Sequence, residues 1–207
     1  LSPGVAFALL REAQAHDFRI VEDDAFADIT PASATRLCAL DRFQRTLYVG
    51  SFSKTLSASL RCGFIAGAPP IVDALTDLKI ITSVTTSDYV ERFIFGLIHG
   101  GHYLRHVRRL KTRLTRARDD AISQLRQIGL DVANEVGAGF YIWAEFPQGC
   151  DVKAICLRAA KERIFLASGN VFFPDGGEDG RAATRINVAY GTDERLLSFL
   201  RRQLHQC

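Results

Sequence analysis

The 207-residue sequence contains no methionine and a single tryptophan, and its charges nearly balance. Its 26 lysines and arginines exceed the 23 acidic residues by three, which gives no reason to expect general affinity for nucleic acid or membranes. No apolar run is long enough to span a bilayer, and the first residues do not resemble a signal peptide. The five cysteines show no paired spacing, so we expect free thiols in a reducing cytoplasm; they are Cys38, Cys62, Cys150, Cys156 and Cys207.

The lack of methionine extends to the first residue, and the chain opens within a predicted helix that begins at Pro3. We therefore interpret the sequence as a fragment of a longer protein. A second explanation is that modified methionines have been left out of the sequence. With 47% hydrophobic residues, the chain can still bury a sizeable core, as one large domain or two small ones.

The spacing of apolar residues predicts helices and strands that alternate along most of the chain. The predicted helices are 3–15, 69–79, 87–99, 102–128, 151–163 and 193–204. The predicted strands are 18–21, 46–50, 63–67, 131–136, 140–146, 164–167 and 184–189. Residues 25–45 read as a polar connection, and we expect Tyr89, Phe93 and Phe95 to point toward a core. This alternation is typical of an α/β protein with a mostly parallel sheet, whose ligands bind beyond the carboxyl ends of the strands.

A lysine flanked by small hydroxyl residues follows the predicted strand 46–50. Ser51 and Ser53 precede Lys54, and Arg61 comes seven positions later at the start of the next strand. Two hydroxyls and a guanidinium can hold a phosphate dianion, and a nearby amine can condense with a carbonyl. These are the requirements of pyridoxal 5'-phosphate (PLP). The alternative for Lys54 is an ordinary exposed loop lysine.

The segment Ser-Phe-Ser-Lys-Thr-Leu at 51–56, with Leu-Arg-Cys-Gly at 60–63, resembles the Schiff-base motif of fold-type I PLP enzymes, the class I/II aminotransferases. The resemblance is closest to the aminotransferase-like domain of MocR-type regulators of the GntR superfamily. It implies a fold-type I α/β architecture with PLP as cofactor. It also implies that residues 1–101 are the C-terminal part of the PLP-binding large domain, and that 102–207 are a linking helix and the small domain.

The resemblance assigns roles to three further residues. Asp23 matches the aspartate that keeps the pyridine nitrogen of the cofactor protonated; the alternative is that residues 22–24 form a solvated acidic turn. Phe26 occupies the position where aminotransferases commonly place a tyrosine that donates to the phenolic oxygen of the cofactor. Arg185 matches the arginine that binds the α-carboxylate of the substrate; the alternative is an edge-strand arginine paired with an acidic neighbour.

A metal site is the competing interpretation for two histidines. His102 and His106 are one helical turn apart, which would suit two zinc ligands. No acidic or cysteine partner lies at a helpful spacing, so we predict no metal site here.

Two functions from different classes follow. The first is the effector-sensing part of a MocR/GntR-type transcription regulator, which would bind an amino acid or an amine and reach DNA only through an upstream domain absent from this chain. The second is a stand-alone aminotransferase that moves an amino group between an amino acid and a 2-oxo acid. For either function the resemblance implies a homodimer, and we expect a cytoplasmic location without a membrane partner.

Overall fold

The computed structural model describes residues 1–30, 34–132, 139–173 and 182–207. The chain divides into two compact units, Leu1–Leu110 and Lys111–Cys207. None of the described helices is long and apolar enough to cross a membrane.

In its described residues, the first unit contains four α-helices, three strands and the beginning of a fifth α-helix. Its elements in chain order are α1 Pro3–Ala15, β1 Ile20–Asp23, α2 Leu37–Asp41, β2 Thr46–Ser51, β3 Gly63–Ala66, α3 Pro69–Ser83, α4 Asp88–His99 and the start of α5 His102–Gln127. Proline lies in the first turn of both α1 and α3, where its missing N–H would have no partner within the helix. The predicted helices therefore start where the sequence indicated.

The three strands of this unit form a sheet in the order β1-β2-β3. Strands β1 and β2 are parallel, with Asp23 opposite Val49, so both strands end at the same edge of the sheet. Strand β3 runs antiparallel to β2 and pairs Gly63 with Ser51. The pattern predicted a mostly parallel sheet, whereas the described sheet is mixed. The reason is that the chain reverses between β2 and β3 without the crossover helix that parallel neighbours need.

Two predictions for the first unit are wrong. The stretch read as a polar connection contains α2, whose first N–H groups are satisfied by a distant side chain: Glu22 accepts from Leu37 at 2.8 Å and from Cys38 at 3.0 Å. In α4 the one buried residue is Ile94, and Tyr89 is 89% exposed. The aromatic side chains expected in a core therefore lie on the surface, with Phe93 54% and Phe95 66% exposed.

The second unit is an antiparallel sheet with helices packed against it. It contains the rest of α5, then β4 Asp131–Val132, β5 Tyr141–Glu145, α6 Val152–Lys161, β6 Ala167–Ser168, β7 Ala183–Asn187 and α7 Glu194–Leu204. The strand order is β4-β5-β7-β6, and every described pairing is antiparallel. Positions 133–136 of the strand predicted at 131–136 lie outside the described residues. The core of this unit is contributed by all three helices, with Leu125, Ile142, Ile155, Phe199 and Leu200 almost fully buried.

The prediction of five free thiols is wrong for two cysteines. Cys150, just before α6, and Cys207, after α7, form a disulfide across a sequence separation of 57 residues. Cys38, Cys62 and Cys156 are free. The pairing follows from the fold of the second unit, which brings the segment before α6 next to the end of α7. No local spacing could have indicated it.

Candidate functional site

The turn that carries Lys54 begins directly after β2 and is closed by its own backbone. The N–H of Leu56 donates to the carbonyl of Phe52 at 2.8 Å, and the N–H of Phe52 donates to the carbonyl of Cys62 at 3.1 Å. Lys54 is exposed, and none of the described carboxylates pairs with its ammonium group. Because β1 and β2 are parallel, this turn and Asp23 lie at the same edge of the sheet. That is the edge at which ligands of α/β sheets commonly bind.

The three acidic residues at the end of β1 have different surroundings. Glu22 caps α2, as described above. Asp24 accepts from the Arg36 guanidinium at 2.8 Å and from the Tyr48 hydroxyl at 3.2 Å. Asp23 is exposed, and its described hydrogen bond is the 3.3 Å contact from the N–H of Ala25 to Oδ1. Glu22 and Asp24 thus stabilise the local fold, and Asp23 keeps an oxygen that can accept from a ligand.

A cavity of about 520 Å³ lies beside the Lys54 turn, and its lining includes Ser51, Ser53 and Arg61. The Ser51 hydroxyl accepts from the N–H of Ser53 at 3.2 Å, which places both serines on one side of a tight turn. Arg61 is exposed and forms no ion pair with any residue that the structure describes. An unpaired guanidinium beside two hydroxyls is a set of donors that suits a phosphate group. The residues present therefore fit the anionic end of PLP.

Phe26 lies beside the candidate lysine, as the shared sheet edge would predict. The Lys54 Nζ atom is 5.6 Å from the centroid of the Phe26 ring. A phenyl ring at this distance can contact an ammonium group through its negative face, but it cannot donate a hydrogen bond. The position next to Lys54 thus offers an aromatic surface without a phenolic donor.

Four residues to which the sequence assigned no part in this site form a hydrogen-bonded group next to the Lys54 turn. The Tyr103 hydroxyl of α5 donates a hydrogen bond to the Asp28 carboxylate, and it lies 3.0 Å from the Thr55 hydroxyl. His106 Nε2 lies 2.7 Å from the backbone carbonyl of Thr55. Tyr103 and Thr55 are only 6% and 3% exposed. No sequence signal could have identified this group, since its members are far apart along the chain.

In the second unit, the Arg185 guanidinium lies over two aromatic rings. Its guanidinium carbon lies 4.2 Å from the ring centroid of Tyr141 and 4.7 Å from that of Phe172. Arg185 belongs to β7, which has β5 on one side and β6 on the other. No carboxylate among the described residues pairs with it. Arg185 thus does not lie on an edge strand, and its described side-chain contacts are with two aromatic rings.

The two histidines considered as metal ligands have other contacts. His102 Nδ1 lies 3.0 Å from the Arg105 guanidinium, and His106 contacts Thr55 as described. In the described part of the chain, no group of three or more histidine, cysteine or acidic side chains could hold a metal ion.

Comparison with known families gives a match over nearly the whole sequence. Residues 7–202 match the family model described as aminotransferase class I and II.

Individual relatives come from both of the function classes considered above. The HTH-type transcriptional regulator TauR of Rhodobacter capsulatus is 31% identical over 83% of this chain and 36% of its own length. The aromatic-amino-acid aminotransferase 1 of Thermococcus litoralis is 25% identical over 94% of this chain and 47% of its own length. A crystal structure of Pyrococcus horikoshii kynurenine aminotransferase in complex with PMP superimposes with a TM-score of 0.83 at 25% identity, covering 99% of this chain and 51% of that one. The chain thus spans about half the length of these relatives, or less, and the expected fold-type I architecture is confirmed.

Proposed function

We propose that this chain, which belongs to the class I and II aminotransferase family, binds PLP and is the effector-sensing part of a transcription regulator. The relatives include HTH-type regulators of more than twice the matched length, such as TauR, of which the chain covers 36%. In this proposal the regulator binds DNA through a segment outside this chain, acts in the cytoplasm and assembles as a homodimer. Its effector is an amino acid or an amine.

The cofactor would be held by residues at one edge of the first sheet. Ser51, Ser53 and Arg61 would bind its phosphate, since they line one cavity and offer hydroxyl and guanidinium donors. The Asp23 carboxylate would accept a hydrogen bond from the protonated pyridine nitrogen and so keep that nitrogen positively charged. The Lys54 amine would form the covalent bond. PLP, when bound, supplies an electrophilic carbon and an electron-withdrawing ring.

The residues of this chain can orient such a ligand and move a proton. The Lys54 amine lies 5.6 Å from the centroid of the Phe26 ring, and it would take up and release a proton once an effector amine has displaced it. Arg185 would bind the carboxylate of an amino-acid effector through its N–H groups, while Tyr141 and Phe172 contact the guanidinium and restrict its position. A planar carboxylate that approaches in the plane of the guanidinium satisfies two donors at once.

One observation carries the choice of a regulator over an enzyme: the ring 5.6 Å from Lys54 belongs to Phe26. Aminotransferases commonly have a tyrosine at this position, whose hydroxyl tunes the acidity of the bound cofactor. A phenyl ring retains the apolar contact and loses the donor. Such a site is expected to bind a cofactor and an amine as signals while being poorly equipped for repeated turnover.

The second candidate function is that of an aminotransferase. It is favoured by the Arg185 guanidinium, which is held by two rings and has no acidic partner among the described residues. An enzyme that discriminates amino acids from simple amines requires such a carboxylate-binding group. The relative from Thermococcus litoralis is named as an aromatic-amino-acid aminotransferase, and it matches 94% of this chain.

The proposal is tested with the full-length protein and its Lys54→Ala variant. Borohydride treatment after incubation with PLP should leave a covalent cofactor adduct, and peptide mapping should place it on Lys54. The variant should lose both the adduct and the visible absorbance of the bound cofactor. Lys79 is the other lysine of the first unit and lines the cavity beside the Lys54 turn, so an adduct on Lys79 would overturn the assignment. Release of a 2-oxo acid over many turnovers from added amino acids would favour the enzyme, and binding without such release would favour the regulator.

A further inference from the structure

We propose that Tyr103 is a positioning residue for Lys54, which rests on the proposed function of Lys54 as the cofactor-binding lysine. Tyr103 belongs to the first turn of α5, far along the chain from the candidate site. Its contacts reach both of the segments that meet at the sheet edge: the turn 52–56 after β2, and the loop 24–30 after β1. Nothing in the sequence motif around Lys54 includes this tyrosine.

The direction of the hydrogen bonds follows from the chemistry of the three groups. The Asp28 carboxylate can only accept, so the Tyr103 hydroxyl proton is donated to it. The Tyr103 oxygen must then accept from the Thr55 hydroxyl, which lies 3.0 Å away. Burial, together with the bond to Asp28, raises the pKa of Tyr103 above its ordinary value, so the hydroxyl stays protonated and continues to donate.

The Tyr103 ring contacts the lysine turn at Phe52, which precedes Lys54, whereas its hydroxyl contacts Thr55, which follows Lys54. Phe52 meets the Tyr103 ring edge-on, with ring centroids 5.7 Å apart and planes at 80°. Thr55 follows Lys54 directly, and Phe52 lies two residues before it. Tyr103 therefore contacts the turn at residues on both sides of the lysine, once through its ring and once through its hydroxyl. Edge-to-face aromatic pairs and buried hydrogen bonds both have preferred geometries, so together they restrict the turn.

A second side chain of α5 holds the same position of the turn. The His106 ring nitrogen Nε2 lies 2.7 Å from the carbonyl oxygen of Thr55, and a carbonyl oxygen can only accept. His106 must therefore carry its proton on Nε2 and donate it. Thr55 is bound through both its side chain and its backbone, and it is 3% exposed. Residue 55 is thus fixed to α5 by two separate bonds, and Lys54 precedes it directly.

The functional consequence concerns the place of Lys54 relative to the loop after β1. Asp28 belongs to the loop that also carries Phe26, and the Phe26 ring is 5.6 Å from Lys54 Nζ. Because the Tyr103 hydroxyl bonds both Asp28 and Thr55, it joins this loop to the lysine turn. Without that hydroxyl the two segments keep their own backbone bonds but lose the polar connection between them. The amine would then spend less time where it can bond to the cofactor.

The test compares full-length wild-type protein with the Tyr103→Phe variant, which keeps the ring and removes the hydroxyl. Two quantities are measured with PLP as the ligand: its dissociation constant, and the fraction of bound PLP that borohydride attaches to Lys54. We expect PLP binding to weaken about ten-fold and the attached fraction to fall. The attached fraction separates the two explanations. If Tyr103 had only a structural role, its loss would lower the melting temperature of the cofactor-free protein and leave the attached fraction unchanged.

Three further variants separate positioning from general damage. Thr55→Val removes the donor to Tyr103 at similar size, and we expect it to match Tyr103→Phe. Thr55→Ser restores a hydroxyl and should recover most of the attached fraction. The double variant Tyr103→Phe with Thr55→Val should lose no more of the attached fraction than Tyr103→Phe alone, because that single variant already removes the bond to Thr55 together with the bond to Asp28. Tyr89→Phe is the matched control, since that tyrosine is 89% exposed in the same unit and should behave as wild type.

The outcomes distinguish the positioning role of Tyr103 from the proposed function of Lys54. If wild-type protein holds PLP on Lys54 and Tyr103→Phe shows an unchanged attached fraction, the positioning role is overturned and the proposed function stands. If wild-type protein does not hold PLP on Lys54, the proposed function fails and the positioning role fails with it. Should Tyr103→Phe not fold, the comparison of Thr55→Val with Thr55→Ser decides: equal values for these two variants would overturn the proposal.

Discussion

Reduction of the disulfide between Cys150 and Cys207 should destabilise the second unit by an amount that its loop length sets. The bond spans 57 residues of sequence and encloses α6, β6, β7 and α7. In the chain-entropy treatment, a crosslink over a loop of this length lowers the entropy of the unfolded chain by an amount worth about 4 kcal/mol at 25 °C. Measured values are often smaller, roughly 2–4 kcal/mol, because reduced chains retain some structure.

The second unit contains its own reporter for this measurement. Trp143 is the sole tryptophan of the sequence and lies on β5, where it contacts Phe172 and Phe173 edge-on. Unfolding of the second unit in urea should therefore change its fluorescence. We expect the free energy of unfolding to fall by roughly 2–4 kcal/mol on addition of a reductant. We expect reductant to shift the midpoint of the urea transition to a lower concentration, and we expect no shift in a variant that lacks the disulfide.

Two variants and a thiol count make this prediction refutable. The double variant Cys150→Ser with Cys207→Ser should unfold like the reduced protein and should not respond to reductant. Cys156→Ser removes a free cysteine of the same unit and should still respond. Alkylation under denaturing conditions should label three thiols before reduction and all five afterwards. Five labelled thiols before reduction, or equal midpoints with and without reductant, would refute the reasoning.

Two further predictions concern the candidate ligand site of the full-length protein. Phe26→Tyr should lower the pKa of the lysine-bound cofactor by roughly one to two units, because a phenolic donor stabilises the form that has lost its proton; a spectrophotometric titration measures this, and an unchanged or raised pKa would contradict it. Arg185→Ala should weaken the binding of an amino acid by about 1.5–3 kcal/mol while sparing an amine without a carboxylate; calorimetric titration with both ligands measures this, and equal losses would count against the role of Arg185.

The sequence predicted the features that depend on neighbouring residues. Helices such as α1 and α3 begin at prolines whose position in a first turn is visible locally. The strand before Lys54 and the one that follows Arg61 were found because apolar runs bounded by polar turns have few other interpretations. Pairing in parallel then brings Asp23 and the Lys54 turn to one edge, which is a general property of such sheets.

Predictions failed where burial or capping depends on residues that are distant in the sequence. The five-residue helix α2 is too short to produce a periodic signal, and it is capped by Glu22, fifteen residues before Leu37. The aromatic side chains of α4 have the spacing of a helix face, but spacing does not say whether another element will cover that face. Periodicity reports that a surface could be buried, and only the packing of the unit decides whether it is.

The hydrogen bonds that hold the Lys54 turn also join residues far apart in the sequence. The lysine could therefore be predicted, whereas the residues that hold its turn could not. The Tyr103 hydroxyl bonds to Thr55 across 48 residues and to Asp28 across 75, and His106 reaches Thr55 across 51. Tyrosine and histidine in the first turns of an arginine-rich helix have no spacing that distinguishes them from solvated residues. A lysine motif is recognisable because its chemistry requires several residue types within one short turn. The residues that hold that turn in place need only meet it in space, so any element that the fold brings there can provide them. Residues close to Lys54 in the sequence therefore form its turn, and residues of α5 hold that turn in position within the fold.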